Sequence, residues 1–114
     1  MKIIILIIMT SLLFMQTKYK NLQILDIHSE QEMRKYMKSI SKDLGVRCNF
    51  CHDLNDKSID TDLKNISRMM IKMQQELNKN YFSANIDSNK SSIKKITCWT
   101  CHRGSHIPEY NRSQ

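Results

Sequence analysis

Aromatic side chains are scarce in this chain: they make up 7% of its 114 residues, with a single tryptophan, Trp99. A small domain with so little bulky apolar matter is marginal at burying its own core. Alternation is missing too. No stretch reads apolar–polar–apolar for long enough to predict a half-buried strand, which leaves an all-α domain with much loop. The longest apolar run, Ile3 to Met15, is shorter than the ~20 residues that span a bilayer. Cysteine occurs nowhere outside two short motifs, so the N-terminal region has no residue for a lipid anchor. What the chain does have is those two motifs.

Cys48-Asn49-Phe50-Cys51-His52 and Cys98-Trp99-Thr100-Cys101-His102 are one five-residue pattern written twice, and together they use all four cysteines. Two cysteines three apart followed by histidine is the spacing for covalent attachment of c-type haem. The thiols add across the vinyl groups of the porphyrin, and the adjacent imidazole is carried beneath the ring to the iron. Three other uses of such cysteines compete. A structural zinc takes two Cys-x-x-Cys pairs, but with roughly 15 to 20 residues between them, far fewer than separate Cys51 from Cys98. A thioredoxin-type dithiol needs a strand–helix setting and has no use for two copies. Paired disulfides leave the histidine unexplained at the same offset both times.

Covalent haem is attached outside the cytoplasm, and the N-terminus agrees with export. Met1-Lys2 precedes the Ile3–Met15 run, interrupted at Thr10-Ser11, in the manner of a secretory signal. No small-x-small cleavage site stands before Lys18, so an uncleaved anchor is the other reading. Residues 1–20 are therefore expected to be a signal peptide or N-terminal membrane anchor, and residues 21–114 a dihaem cytochrome c domain.

That domain reads as two helix-plus-motif units joined by long loops. Ser29-Glu30-Gln31-Glu32 has the capping-box pattern. Met33, Tyr36, Met37, Ile40 and Leu44 follow at helical spacing, and Gly45 is placed to stop the helix. A second helix begins around Asp60-Thr61-Asp62, carries Leu63, Ile66, Met70, Met73 and Leu77 on its apolar face, and fades near Asn78-Lys79-Asn80. Residues 83–92 are polar and aperiodic, which predicts a mobile loop.

His52 and His102 each supply one axial ligand, so the opposite ligand decides what each iron does. Eight methionines is a high count, and several fall on the two helices. A thioether ligand gives six-coordinate iron suited to electron transfer and raises its potential. The competing role for any one of them is filling gaps in the core. His28 and His106 are surface histidines or substitute sixth ligands. Arg103 is either a partner for a haem propionate, which a guanidinium recognises bidentately, or a solvated charge. Pro108 shapes or ends the segment after the second motif.

From Met37 to Pro108 the sequence resembles one two-haem half of the tetrahaem cytochrome subunit of photosynthetic reaction centres. Met37-Lys38-Ser39-Ile40-Ser41 resembles that family's methionine-bearing helix. Cys51-His52-Asp53-Leu54-Asn55-Asp56 looks like the stretch after its first haem motif. Ser67-Arg68-Met69-Met70-Ile71-Lys72-Met73 is similar to its second ligand helix, which runs on to an asparagine as this one does at Asn78. Thr97-Cys98-Trp99-Thr100-Cys101-His102-Arg103-Gly104 is close to its second haem segment throughout. The resemblance implies Met37 and Met70 as axial ligands, with Met69 and Met73 as substitutes for the latter, and electron transfer as the activity. Two departures stand out: this chain has two haem motifs where the family subunit has four, and it lacks the anchoring cysteine of many members. A free-standing respiratory carrier is thus as well supported as a photosynthetic subunit.

The formal net charge of +7 suits docking to an acidic patch on a redox protein, less the four charges of two haems' propionates. The pI near 9.4 also suits nucleic acid. The lysines are scattered rather than gathered on one face, and an exported protein seldom meets DNA, so that partner is rejected. Lys18 and Lys20 suit an anionic membrane surface. Three function classes remain: a dihaem electron carrier with no substrate, a peroxidase-like haem enzyme or sensor with one open iron site, and a zinc-bound interaction module. No distal acid–base group stands out for peroxide chemistry. The shortage of apolar bulk makes one prediction. The haem-free chain is largely unfolded, as metal-dependent small domains often are, and gains its helices on haem attachment. Far-UV circular dichroism of the two forms tests this, and native helix content without haem would contradict it.

Overall fold

The computed structural model describes residues 19–82 and 95–111, so the expected signal or anchor, apart from Tyr19 and Lys20, and the expected 83–92 loop lie outside the described residues. Among the described residues three helices carry the fold: α1 (Glu30–Leu44), α2 (Asp62–Tyr81) and α3 (Cys98–His102), with a 3-10 turn at Cys48–Phe50. Among the described residues there is no strand, and no helix is long and apolar enough to cross a membrane. The chain is all-α.

Local chemistry sets the ends of α1. The Ser29 hydroxyl accepts a hydrogen bond from the Glu32 N–H, satisfying one of the first-turn donors that have no partner within the helix. Glu30 and Glu32 place negative charge at the positive end of the helix dipole, and Arg34 pairs with Glu30 one turn on at 2.6 Å. At the far end Gly45 turns left-handed at φ 66°, its N–H bonds to the Lys42 carbonyl, and the Val46 N–H reaches back to the Ser41 carbonyl. Helix α2 is capped by Thr61, whose hydroxyl accepts from the Lys64 N–H at 3.1 Å.

The two motif-bearing ends are locked together. Helix α1 packs on α3. The Gly104 N–H donates to the Asp43 carbonyl at 2.8 Å, and the Trp99 N–H donates to the Asp43 carboxylate at 3.2 Å. A Cβ on Gly45 would overlap the Gly104 carbonyl oxygen, so the chain's two glycines meet backbone to backbone. This contact bridges the approach to Cys48 and the exit from His102.

Packing elsewhere is thin. Ile71, at 8% exposed, is the one buried apolar residue among those described. It was not on the expected apolar face of α2. Leu63, Ile66 and Met73 of that face are exposed, and Met70 and Leu77 are half-buried. The reason is the segment before α1, which runs along the other side of α2. Arg68 donates to the Asn21 carbonyl and Gln75 to the Ile24 carbonyl, and Ile71 lies between them in sequence on that same side.

The Gly45–Gly104 contact yields a graded prediction. Gly45→Ala meets both the left-handed backbone, which costs about 1–2 kcal/mol for a side chain, and the Gly104 carbonyl. Gly104→Ala, at φ 86°, also pays a positive-φ backbone penalty but meets nothing closer than the edge of Trp99 at 3.4 Å. Thermal unfolding of the haem-loaded variants should show the larger fall for Gly45→Ala, at roughly 4–8 °C per kcal/mol lost in a domain this size. Equal losses would contradict the close approach.

Candidate haem sites

Each motif is wound into one helical turn, which is why the three-residue cysteine spacing works: residues i and i+3 share a helix face. In the first motif the turn starts as 3-10 and closes with the His52 N–H on the Cys48 carbonyl at 3.0 Å. In the second it is α3 itself, opened by Thr97 and Thr100, each side chain capping the other's backbone N–H. All four thiols are free. Among the described residues no three of His, Cys, Asp and Glu converge on a point where a metal ion could sit, and the two cysteine pairs are not gathered into one tetrahedral set.

The two imidazoles are held differently. His102 Nδ1 lies 2.9 Å from the Ser105 carbonyl. A carbonyl only accepts, so Nδ1 carries the proton and Nε2 is left with its lone pair, the form that binds iron. His52 Nδ1 is buried with no hydrogen-bond partner of good geometry. Burial holds the His52 imidazole below the usual histidine value; the Lys57 carbonyl pulls the other way, and the charges of Lys64, Lys57 and Arg68 add to the depression. A neutral ring is the ligating state, so this environment favours ligation.

The loop behind His52 is tightly built. Asp53 accepts from the Asn55 and Asp56 N–H groups, and Asp56 accepts from both the N–H and the hydroxyl of Ser58. Lys64 donates to the carbonyls of Lys57, Ser58 and Ile59, each at 3.0 Å, and lies 3.2 Å from Asp60. Asp60 also accepts from Arg68 and Asn21, both at 2.7 Å, and the Arg68 contact foremost holds its carboxyl below the usual range. Thr61 donates to the Cys51 carbonyl at 2.6 Å, and the Ser67 hydroxyl lies 3.4 Å from Cys51 Sγ. Helix α2 thus grips the first motif from its N-terminal half.

Its C-terminal half grips the second. The Asn78 amide brackets Ile96, donating to its carbonyl and accepting from its N–H at 2.9 Å each, while Gln74 donates to the same carbonyl at 2.8 Å. Met70, Gln74 and Asn78 recur at four-residue intervals and share this face; Met69 and Met73 lie one position round the helix and are exposed. On α1, Met37 is followed at the same interval by Ser41, whose hydroxyl donates to the Val46 carbonyl. Ser41 lines an open groove of about 450 Å³ with Arg47, Cys48, Asn49 and Leu54. The opposite side of α1 faces the second motif. Burial and, to a lesser degree, the Cys98 thiol push the Tyr36 phenol up, and burial followed by Asp43 and Cys101 pushes the Cys98 thiol up.

Of the remaining candidates, Arg103 caps α3 in the left-handed region at φ 48° with an exposed side chain. His28 is exposed and pairs with Asp26 at 2.8 Å, and His106 tilts against Phe50 with ring centroids 5.2 Å apart. Arg47, in the groove beside Cys48, was not singled out in the sequence, although it immediately precedes that cysteine.

The residues present fit covalent haem. Free thiol pairs sit on single turns, one imidazole has its tautomer fixed and the other is half-buried and neutral-favouring, and Leu54, Leu63 and Ile66 offer apolar surface near the motifs. An all-α scaffold carrying such turns is that of a c-type cytochrome. A family model described as "Photosynthetic reaction centre cytochrome C subunit" matches residues 11–113, and the chain belongs to that family. Similar curated proteins are the photosynthetic reaction center cytochrome c subunits of Thermochromatium tepidum, 30% identical over 81% of this chain, and of Rubrivivax gelatinosus, 28% identical over 80%. That of Roseobacter denitrificans is 28% identical over 79% of it. The chain spans about a quarter of the length of these relatives (22 to 25%).

Asn78 is where the site meets stability. Asn78→Ala removes both bonds to a half-buried backbone unit and should cost about 1–3 kcal/mol. Gln74→Ala removes one of two donors to the same carbonyl and should cost less. Denaturant unfolding of the haem-loaded proteins measures both, and a Gln74 loss equal to or above the Asn78 loss would refute the bracket.

Proposed function

We propose that this chain is a dihaem c-type cytochrome that carries electrons between redox partners outside the cytoplasm and acts on no substrate. The observation that carries the reading is the pair of helical Cys-x-x-Cys-His turns, each with its imidazole set for ligation. Haem iron, when bound, supplies a reversible one-electron couple. Residues 21–114 form the haem-bearing domain, and residues 1–20 serve for export or anchoring.

In this reading Cys48 and Cys51 hold one haem and Cys98 and Cys101 the other, with His52 and His102 as the axial ligands from below. Met37 and Met70 ligate from above. Support for Met37 is its place on the face of α1 that leads through Ser41 to the groove beside Cys48. Support for Met70 is the face it shares with Gln74 and Asn78, which tether the second motif. Thioether ligation on the far side closes each iron to exogenous ligands and tunes it for electron transfer. Arg47 lines the groove beside the first motif and Arg103 follows the second, where their guanidinium groups are suited to propionates. The chain's basic charge steers it to an acidic patch on its partner, so association slows as salt rises.

The relatives are named as reaction centre subunits. This chain spans about a quarter of their length, so the proposal extends to haem binding and electron transfer in the same manner. Export with haem-attachment machinery should give a coloured protein whose mass exceeds that of the polypeptide by two haems and whose redox titration shows two one-electron waves. The reduced protein should not react with carbon monoxide, whereas Met70→Ala should bind it at one haem of the two. Colourless protein with free or zinc-bound thiols would refute the reading.

A further inference from the structure

An axial methionine must be held against its own motif, and the chain does this in two different ways. Met37 precedes Cys48 by 11 residues. That stretch is built of continuous local structure: α1 runs to Leu44, Gly45 closes it, and the 3-10 turn begins at Cys48. Met70 precedes Cys98 by 28 residues. By length alone the longer connection costs more entropy to close, so it holds its ends together less well. The Gln74 and Asn78 amides make up for this. Asn78 donates to the Ile96 carbonyl and accepts from the Ile96 N–H at 2.9 Å each, and Gln74 donates to the same carbonyl at 2.8 Å. Bonds to both polar groups of one residue fix its orientation as well as its position. Ile96 stands two residues before Cys98, and Thr97 between them caps α3. Met70, Gln74 and Asn78 follow one another along α2 by steps of about 40° and about 6 Å, so all three lie on neighbouring parts of one face.

On the two-haem reading with Met70 as a ligand, on which this rests, we propose that Asn78, assisted by Gln74, is a positioning residue for the axial thioether of the haem held by Cys98 and Cys101. The bracket replaces the 28-residue connection with about two turns of helix, three hydrogen bonds and a two-residue step. The effective concentration of a tethered ligand falls as its tether lengthens, so this shortcut keeps the Met70 sulfur ahead of dissolved ligands at the iron. The opposite side of the same haem is fixed by other residues. The Ser105 carbonyl orients His102, and Asp43 seats α3 on α1. Loss of the bracket therefore loosens the thioether and leaves the imidazole where it is. The first haem does not share this dependence, because helix and turn alone join Met37 to Cys48.

The test compares Asn78→Ala with the unaltered protein, both exported and haem-loaded. Mass spectrometry counts haems, and far-UV circular dichroism checks helix content. Imidazole is titrated into the oxidised proteins and each haem is followed by paramagnetic NMR, its signals assigned through contacts between the haem edge and the cysteine β-protons. In Asn78→Ala the affinity of imidazole for the Cys98/Cys101 haem should rise roughly tenfold, the scale of one lost hydrogen bond, and that for the Cys48/Cys51 haem should stay as it was. A purely stabilising role would lower the unfolding midpoint and move neither affinity. That result, or an equal rise at both haems, would overturn the proposal. Where Asn78→Ala does not carry two haems, Gln74→Ala decides by the same titration: a smaller rise confined to the second haem is expected, and no rise overturns the proposal. Met70→Ala gives the reference for an open sixth position. If it leaves the second haem's affinity for imidazole unchanged, the ligand assignment falls and the proposal with it. Fewer than two haems on the unaltered protein would instead bring down the two-haem reading itself.

Discussion

Gly45 and Gly104 touch through their backbones, and the relation between the two motifs follows from that approach. Gly45 ends α1 three residues before Cys48, and Gly104 comes two residues after His102. No other residue type provides both the left-handed turn and the missing Cβ that lets the Gly104 carbonyl in. The hydrogen bonds from Gly104 and Trp99 to Asp43 then seat α3 on the end of α1. In a chain with so little buried apolar surface, this polar and backbone contact takes over the orienting role that a hydrophobic core has in larger domains.

Helices α1 and α2 and the two motifs were legible in the sequence because their signals are local. Ser29 caps α1 and Gly45 ends it where the residue pattern placed them; Thr61 caps α2 within the expected start. The Cys-x-x-Cys-His spacing needs nothing beyond one turn of helix. What could not be read depends on contacts distant in sequence. Lys64 looks like any solvated helical lysine until the 57–60 loop folds over it. Asn78 marked the register of a family pattern, but its bracket on Ile96 spans 18 residues of separation. Ile71 was passed over because the apolar stripe of α2 points elsewhere, and the segment that covers it comes from before α1.

The two motifs are alike in sequence but lie in unlike surroundings. His102 has a defined acceptor in an exposed turn, whereas His52 is half-buried, its Nδ1 enclosed, beside a loop that is stiffened by carboxylate turns and held by an ammonium. The helix-borne methionines follow the same division: Met37 shares its face with the groove-lining Ser41, and Met70 with the residues that tether the second motif.

Helix α2 spans the molecule between these centres. Thr61 at its start fastens to Cys51 and Asn78 near its end fastens to Ile96, a separation of about 25 Å at ~1.5 Å per residue. The rod is therefore a ruler with a phase as well as a length. Exchanging one side chain for another between the two fastenings is a local affair. Adding or removing a single residue there would advance or retract one clasp and swing it by ~100° around the axis, so that both could no longer close at once.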